Sequence, residues 1–232
     1  MNGLATSRIT SAAPMNLVTI LTLPVAMLLG SAISLIFAVA PREVTMGDAQ
    51  RIMYVHVAVA WCGLASVLAS GVAGIAYLKG RSLASDGWAQ AFTEIGWLCC
   101  VLTLITGSIW AHEAWNTWWT WEPRLTSMLI LAAICSGNLL LRGSFEDPHQ
   151  RARIGAIVAL LAILDVPLIV LATRIFRGIH PVHPSMSTTM RAVLVASVVG
   201  FAALFLLITE WRRRQIMLGN SITDMENREY NC

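Results

Sequence analysis

Charged residues are scarce in this sequence, and their scarcity limits what the protein can be. Only 12% of its 232 residues are charged, whereas about a quarter of the residues in a soluble domain are charged. The mean hydropathy is +0.67. This composition excludes a fully water-exposed surface. We therefore expect a membrane protein surrounded by lipid, with no nucleic-acid partner.

Several functional motifs are also absent. The five cysteines form no CxxC or CxxCH motif, which argues against a thiol redox pair and against covalent attachment of haem. Four of them fall within apolar stretches and are predicted to be small hydrophobic packing residues: Cys62, Cys99, Cys100 and Cys135. No catalytic triad or nucleotide-binding motif is evident, so the sequence does not predict an enzyme.

Long apolar stretches dominate what is present. A helix needs about 20 apolar residues to cross the hydrocarbon core, and six stretches qualify: 15–40, 54–78, 92–110, 125–142, 154–173 and 190–210. We predict an all-α integral membrane protein, one domain over residues 1–232, because helices satisfy their own backbone polar groups in lipid. The first stretch is too long for the apolar region of a signal peptide. The polar tail, about residues 212–232, is expected to be mobile.

The basic residues predict the orientation of these spans. If the N-terminus is cytoplasmic, ten of the 16 lysines and arginines lie in inner segments and six lie in outer segments. The positive-inside rule then places both termini in the cytoplasm. Three outer segments follow from this topology, at about residues 41–54, 111–125 and 174–189.

Tryptophan is concentrated in and beside the second outer segment, between the third and fourth spans. Five of the nine tryptophans lie there: Trp110, Trp115, Trp118, Trp119 and Trp121. Tryptophan suits a membrane interface because its ring is apolar and its N–H is polar, so an ordinary aromatic belt is one interpretation. A belt is spread over many helix ends, however, and five tryptophans so close together equally suit a platform for a large, flat, apolar ligand.

Four of the five histidines fall on the predicted outer side: His56, His112, His180 and His183. His56 lies just inside the second span, where a polar ring needs a partner, and His180 lies in the third outer segment. Two histidines from separate segments could ligate one haem iron from opposite faces. A surface position is nevertheless the commoner role of a loop histidine. The fifth, His149, lies in an inner loop and is expected to be solvated.

The outer arginines have two candidate roles. Five of them lie in or beside the outer segments: Arg42, Arg51, Arg124, Arg174 and Arg177. Guanidinium pairs well with carboxylate, so they could bind the propionates of a haem. Pairing with lipid headgroups is the alternative for each one.

Two acids also require an interpretation. Glu122 is followed by Pro123, and we expect this pair to open the fourth helix, since proline is tolerated at the first helical position and an acid there complements the helix dipole. Asp165 lies deep in the fifth span beside Pro167. We expect a protonated or paired structural acid near a kink, with a substrate or proton pathway as the alternative.

The stretch from Trp118 to Thr126, with the sequence WWTWEPRLT, resembles the tryptophan-rich WWD signature of haem-handling membrane proteins. Among these, the six-span size resembles the CcmC family, and the resemblance covers about residues 51–191. It implies that a periplasmic loop between helices 3 and 4, about residues 110–127, holds haem. Glu122 stands where the signature usually has aspartate, which keeps the charge but changes its reach.

The resemblance also implies a set of haem contacts. The axial ligands of the iron would be His56 and His180, with His183 as the second choice. The residues expected to contact the rest of the haem are Trp110, Trp115, Trp118, Trp119, Trp121, Glu122, Arg124, Arg51, Arg174 and Arg177.

The function that the resemblance implies is transfer of haem b, a non-covalent and transient cargo, to the periplasmic chaperone CcmE during cytochrome c maturation. The implied partners are CcmE, the ABC transporter proteins CcmA and CcmB, the small protein CcmD, and membrane lipid. The implied location is the bacterial inner membrane. Two alternatives are a membrane electron carrier with bis-histidine haem b and a non-haem transporter or scaffold whose tryptophans only anchor a loop.

Overall fold

The computed structural model describes residues 17–176 and 186–230. They form six α-helices: α1 (Leu17–Ala38), α2 (Arg51–Gly80), α3 (Leu83–Trp115), α4 (Pro123–Gly143), α5 (Pro148–Ile175) and α6 (Thr188–Tyr230). All six are long and apolar enough to cross a membrane. The predicted all-α fold with six spans is therefore confirmed.

Consecutive helices run in opposite directions. His56 near the start of α2 contacts Thr106 near the end of α3, and Arg142 at the end of α4 reaches Asp86 near the start of α3. The bundle thus has two distinct ends. We call the end that holds residues 39–50 and 116–122 the tryptophan end, and the end that holds the short connections after α2 and α4 the arginine end.

Helix α2 is the centre of the bundle, whereas α1 lies at its margin. In the most apolar part of each helix, 61% of α2 is buried inside the protein, compared with only 11% of α1. Helix α1 packs mainly on α6. Small residues let the neighbours approach α2 closely. A Cβ added to Gly63 would lie 3.0 Å from Cys99 Cβ, and one added to Gly74 would lie 3.2 Å from Ala156 Cα.

Two helices are longer than the apolar stretches predict. Helix α3 begins at Leu83 rather than near residue 92, and α6 continues through the polar tail as far as Tyr230. Polar side chains in these extra turns have partners on other helices. Arg212 on α6, for example, donates to Glu94 on α3 at 2.5 Å. Ion pairs of this kind allow a helix to continue where its hydropathy falls.

The four cysteines within the apolar stretches are free and buried. Cys100 and Cys135 pack in one apolar cluster, and Cys62 and Cys99 pack in another. Their prediction as hydrophobic packing residues is confirmed. Cys232 lies outside the described residues.

The segment between α1 and α2 is ordered by one carboxylate. Glu43 accepts hydrogen bonds from the backbone N–H groups of Met46, at 2.6 Å, and Thr45, at 2.7 Å. These bonds, that from Met46 first, hold the pKa of Glu43 below its usual value of 4.5. Gly47 completes the turn with a φ of 58°, a conformation that favours glycine.

We expect this turn to loosen in acid. Because the pKa of Glu43 is lower in the folded turn, its stabilising effect is fully present above pH 4.5 and is lost as the pH falls through the folded value. The Glu43→Gln variant should lack the effect at every pH. The hydrogen-exchange rates of the Thr45 and Met46 amides, compared between the wild type and the variant, measure how strongly Glu43 stabilises the turn. Equal exchange rates in the two proteins at neutral pH would contradict a stabilising role of the Glu43 carboxylate.

Candidate functional site

A small cavity of about 50 Å³ lies among helices α2 to α5, near the tryptophan end. Small-molecule and cofactor sites occupy about 300–1,000 Å³, so a ligand of that size requires the cavity walls to move apart. Most of its wall is apolar or small, including Ala60, Leu64, Leu104, Met128 and Ile169. Polar groups are few, and they come from different helices.

His56 supplies the main polar group on the α2 side of the cavity. The residue is 8% exposed, and its Nδ1 lies 3.1 Å from the hydroxyl of Thr106. The ring of Trp110 packs against it with the centroids 5.9 Å apart. Helix α3 therefore holds this imidazole in a defined orientation at the edge of an apolar space.

The signature tryptophans do not all face the cavity. Trp119 lines it, and its ring meets that of Trp121 edge-on at 5.6 Å. Trp110 and Trp115 are in contact at 5.5 Å, on the last turns of α3 rather than in the loop. Trp118 and Trp121 are 58% and 75% exposed. Two tryptophans therefore face outward and Trp119 lines the cavity, whereas Trp110 packs on His56 and Trp115 packs on Trp110.

The arginines predicted to lie on the outer side also differ in whether they line the cavity. Arg124 lines the cavity, and its positive charge interacts with the negative charge of Glu122. Arg42 and Arg51 instead flank Asp48, at 2.6 Å and 3.3 Å. Arg51 also lies over the ring of Phe37, 5.5 Å from its centre.

Some predicted residues lie away from the cavity or beyond the described ranges. Arg174 is exposed on the last turn of α5. Arg177, His180 and His183 lie outside the described residues. His112 stacks on Trp118 at 4.1 Å rather than lining the cavity.

Glu122 and Pro123 open α4, as the sequence predicts. Pro123 takes the first helical position, and Glu122 takes the N-cap position with extended backbone angles. The Glu122 side chain does not accept a capping hydrogen bond from the first turn. The pair thus sets where α4 begins, and Arg124 is the second residue of that helix.

Besides Leu104, four smaller residues of α3 line the cavity without a role having been predicted for them: Thr103, Gly107, Ser108 and Ala111. Thr103, Gly107 and Ala111 recur at intervals of four residues, which places them on one helix face. That spacing of small residues is a sequence signal for a close approach or a ligand-facing surface. It does not reveal that His56 lies opposite.

Gly107 provides the space for the His56 ring. A Cβ added there would lie 2.9 Å from Cε1 of His56, so the ring would have to move. We expect Gly107→Ala to destabilise the protein by about 1–3 kcal/mol through overpacking. Gly137→Ala is the matched control, because nothing lies within 4 Å of its added Cβ. The midpoint of thermal unfolding in detergent is measured for both variants. Equal midpoints would contradict the close approach of Gly107 to the His56 ring.

Together these groups define what the cavity can bind. His56 offers a nitrogen ligand for a metal, and Arg124 offers a cation for a carboxylate. Trp119 and the apolar wall offer a surface for an aromatic ring system. The arrangement suits a flat, apolar ligand that carries both a metal and an acidic group.

Comparisons with known proteins point to one family. A family model described as heme exporter protein C matches residues 2–228. The chain is 29% identical over 186 residues to the heme exporter protein C of Escherichia coli (strain K12), covering 78% of this chain and 76% of that protein. It is 30% identical over 198 residues to the protein of that name from Haemophilus influenzae, covering 82% and 80%. A ccmC-like mitochondrial protein of cytochrome c biosynthesis from Marchantia polymorpha is 30% identical over 149 residues, covering 64% and 63%.

Proposed function

This chain belongs to the haem exporter protein C family, and we propose that it binds haem b in the cavity beside His56 and delivers it to the periplasmic chaperone CcmE. The family and the six apolar helices make it a multi-pass inner-membrane protein that handles haem for cytochrome c maturation. It acts as a transport and maturation component rather than as a known type of enzyme.

One observation carries the proposal: His56 and Arg124 come from different helices to line one apolar cavity. Haem needs an axial ligand for its iron, cations for its propionates and apolar cover for its ring. Its iron would be held by His56, a propionate by Arg124, and one ring face by Trp119. Thr103 Oγ1 also lines the cavity region, buried and without a hydrogen-bond partner among the described residues.

The remaining predicted contacts complete this proposal. His180 is the proposed second axial ligand, with His183 as the alternative, and Arg177 is a further propionate partner. Arg51 and Arg174 lie at the same end of the bundle and are proposed as outer contacts. Trp110 and Trp115 would support the His56 side of the site from the end of α3.

Delivery requires that part of the bound haem stays accessible. We place the tryptophan end at the periplasmic face, because the arginine end carries basic residues that the positive-inside rule assigns to the cytoplasm. Trp118 and Trp121 are largely exposed at the tryptophan end, beside Glu122. They offer a surface on which CcmE could meet the haem edge, after which CcmA, CcmB and CcmD would release the loaded chaperone.

The test is haem loading of CcmE in bacterial cells that lack their own haem exporter protein C. We expect this chain to restore haem-loaded CcmE, detected by haem staining after denaturing electrophoresis, and Arg124→Gln to restore it only weakly. Arg191→Gln is the control, since Arg191 lies in the groove between α1 and α6 rather than in the cavity. Unloaded CcmE in the presence of well-folded wild-type chain would contradict delivery.

A further inference from the structure

The hydrogen bond between His56 and Thr106 has a defined direction. The Thr106 hydroxyl donates to the backbone carbonyl of Leu102, at 2.7 Å. The other carbonyl within reach, that of Thr103 at 3.4 Å, is also only an acceptor. A hydroxyl has a single proton to donate. Because a carbonyl takes that proton, the Thr106 oxygen can only accept from Nδ1 of His56, which lies 3.1 Å away.

This direction fixes the tautomer of the imidazole. A neutral imidazole carries its proton on one nitrogen and its lone pair on the other. With the proton on Nδ1, the lone pair of His56 is on Nε2. A histidine that binds a metal usually donates its other N–H to an oxygen, which orients the ring and makes the ligating nitrogen more basic.

Two neighbours of Thr106 restrict the position of the same ring. Gly107 lies so close that an added Cβ would meet Cε1 at 2.9 Å and Nδ1 at 3.4 Å. Trp110, one turn further along α3, packs on the ring at a tilt of 50°. Helix α3 therefore sets both the place and the protonation of a side chain that belongs to α2.

We propose that Thr106 is a positioning residue that holds His56 as its Nδ1–H tautomer and so presents Nε2 to the iron of the bound haem. The proposal rests on the proposed function for its role in haem binding. The tautomer itself, however, is a property of the haem-free protein and is measured separately.

The first experiment is nitrogen NMR of the haem-free protein labelled with ¹⁵N-histidine. The His56 resonances are assigned as those missing from His56→Ala. We expect a protonated Nδ1 and an unprotonated Nε2 in the wild type, and a shift towards the opposite tautomer in Thr106→Val. A protonated Nε2 in the wild type would overturn the proposal, whatever the protein does with haem.

The second experiment measures the haem affinity and the reduction potential of the bound haem in four proteins. They are the wild type and the variants Thr106→Val, Thr106→Ser and Thr209→Val. Loss of such a hydrogen-bond partner weakens metal binding by roughly 10–100-fold. We expect a loss in that range for Thr106→Val, together with a higher potential, because a less basic imidazole stabilises ferric iron less. Thr106→Ser keeps the hydroxyl and should restore both values.

Thr209→Val is the matched control. Thr209 makes the same bond to the carbonyl four residues earlier, Phe205, at 2.7 Å, but it lies on α6 away from the cavity. It should behave as wild type. If Thr106→Val matches Thr209→Val, or if Thr106→Ser loses as much as Thr106→Val, the hydrogen bond does not position the ligand. Failure of the wild type to bind haem would instead refute the proposed function and leave the NMR result standing.

Discussion

Replacing His56 by alanine is expected to remove most of the haem-binding capacity of this protein. The reason is the loss of an iron ligand that the bundle holds ready between Thr106, Gly107 and Trp110. The loss of affinity should exceed the roughly 10–100-fold expected when only a supporting hydrogen bond to a ligand is lost. Haemin titration of the purified protein, followed by its absorption spectrum, measures the change.

Two further variants make this prediction specific. His149→Ala removes a histidine at the arginine end, where Nδ1 of its ring lies 3.2 Å from the hydroxyl of Tyr77, and it should bind haem as the wild type does. His56→Gly leaves room for a free imidazole, which should restore the spectrum when added. A His56→Ala spectrum identical to that of the wild type would remove His56 from the site.

The largest effect on stability is expected at the arginine end. Arg142 donates to Asp86 at 2.7 Å, and the two side chains are only 3% and 4% exposed. Arg142 Nε also donates to Asn138, which in turn donates to the Gly155 carbonyl. A Cβ at Gly155 would collide with the guanidinium. This cluster ties together α3, α4 and α5.

Removing one partner of this pair should be far more harmful than removing both. A single change such as Asp86→Leu leaves a buried charge unpaired and is expected to cost about 3–5 kcal/mol, whereas replacing both charges by apolar residues is often nearly neutral. The double variant Asp86→Leu/Arg142→Met should therefore be more stable than either single variant. Unfolding in detergent, analysed as a double-mutant cycle, gives the coupling.

An exposed ion pair provides the comparison. Arg42 pairs with Asp48 while its side chain is 74% exposed, and an exposed pair contributes only about 0.2–1 kcal/mol. Arg42→Gln should therefore change the unfolding free energy by less than Asp86→Leu does. Similar effects of the two changes would mean that the Asp86–Arg142 pair does not hold α3 and α4 together more strongly than an exposed ion pair would.

The sequence predicts the spans well where hydropathy alone decides. Helices α2 and α4 begin and end within about three residues of the predicted stretches. The start of α3 is missed because its first turns contain Asp86 and other polar residues. Their burial depends on Arg142, which lies 56 positions away along the chain. Local composition carries no information about such a partner.

Prediction of the candidate site from the sequence is limited in the same way, because contacts between distant residues are not visible in local composition. His56, Trp119 and Arg124 are recognisable by residue type, and the cavity brings them together. Thr106 and Gly107 gain their roles only from contact with a ring on another helix, so no single stretch of sequence reveals them. Asp165 is similar: it is buried, and its Oδ2 has no hydrogen-bond partner among the described residues. Its predicted pairing or protonation stays a prediction.

The most direct test of the central claim is the structure of the haem-loaded protein in lipid by electron cryomicroscopy. Our account predicts haem density in the cavity among α2 to α5, with the iron bonded to Nε2 of His56 and a propionate against Arg124. The ring of Trp119 should cover one face of the haem. Haem resting only on the exposed faces of Trp118 and Trp121, with no bond between its iron and His56, would contradict it.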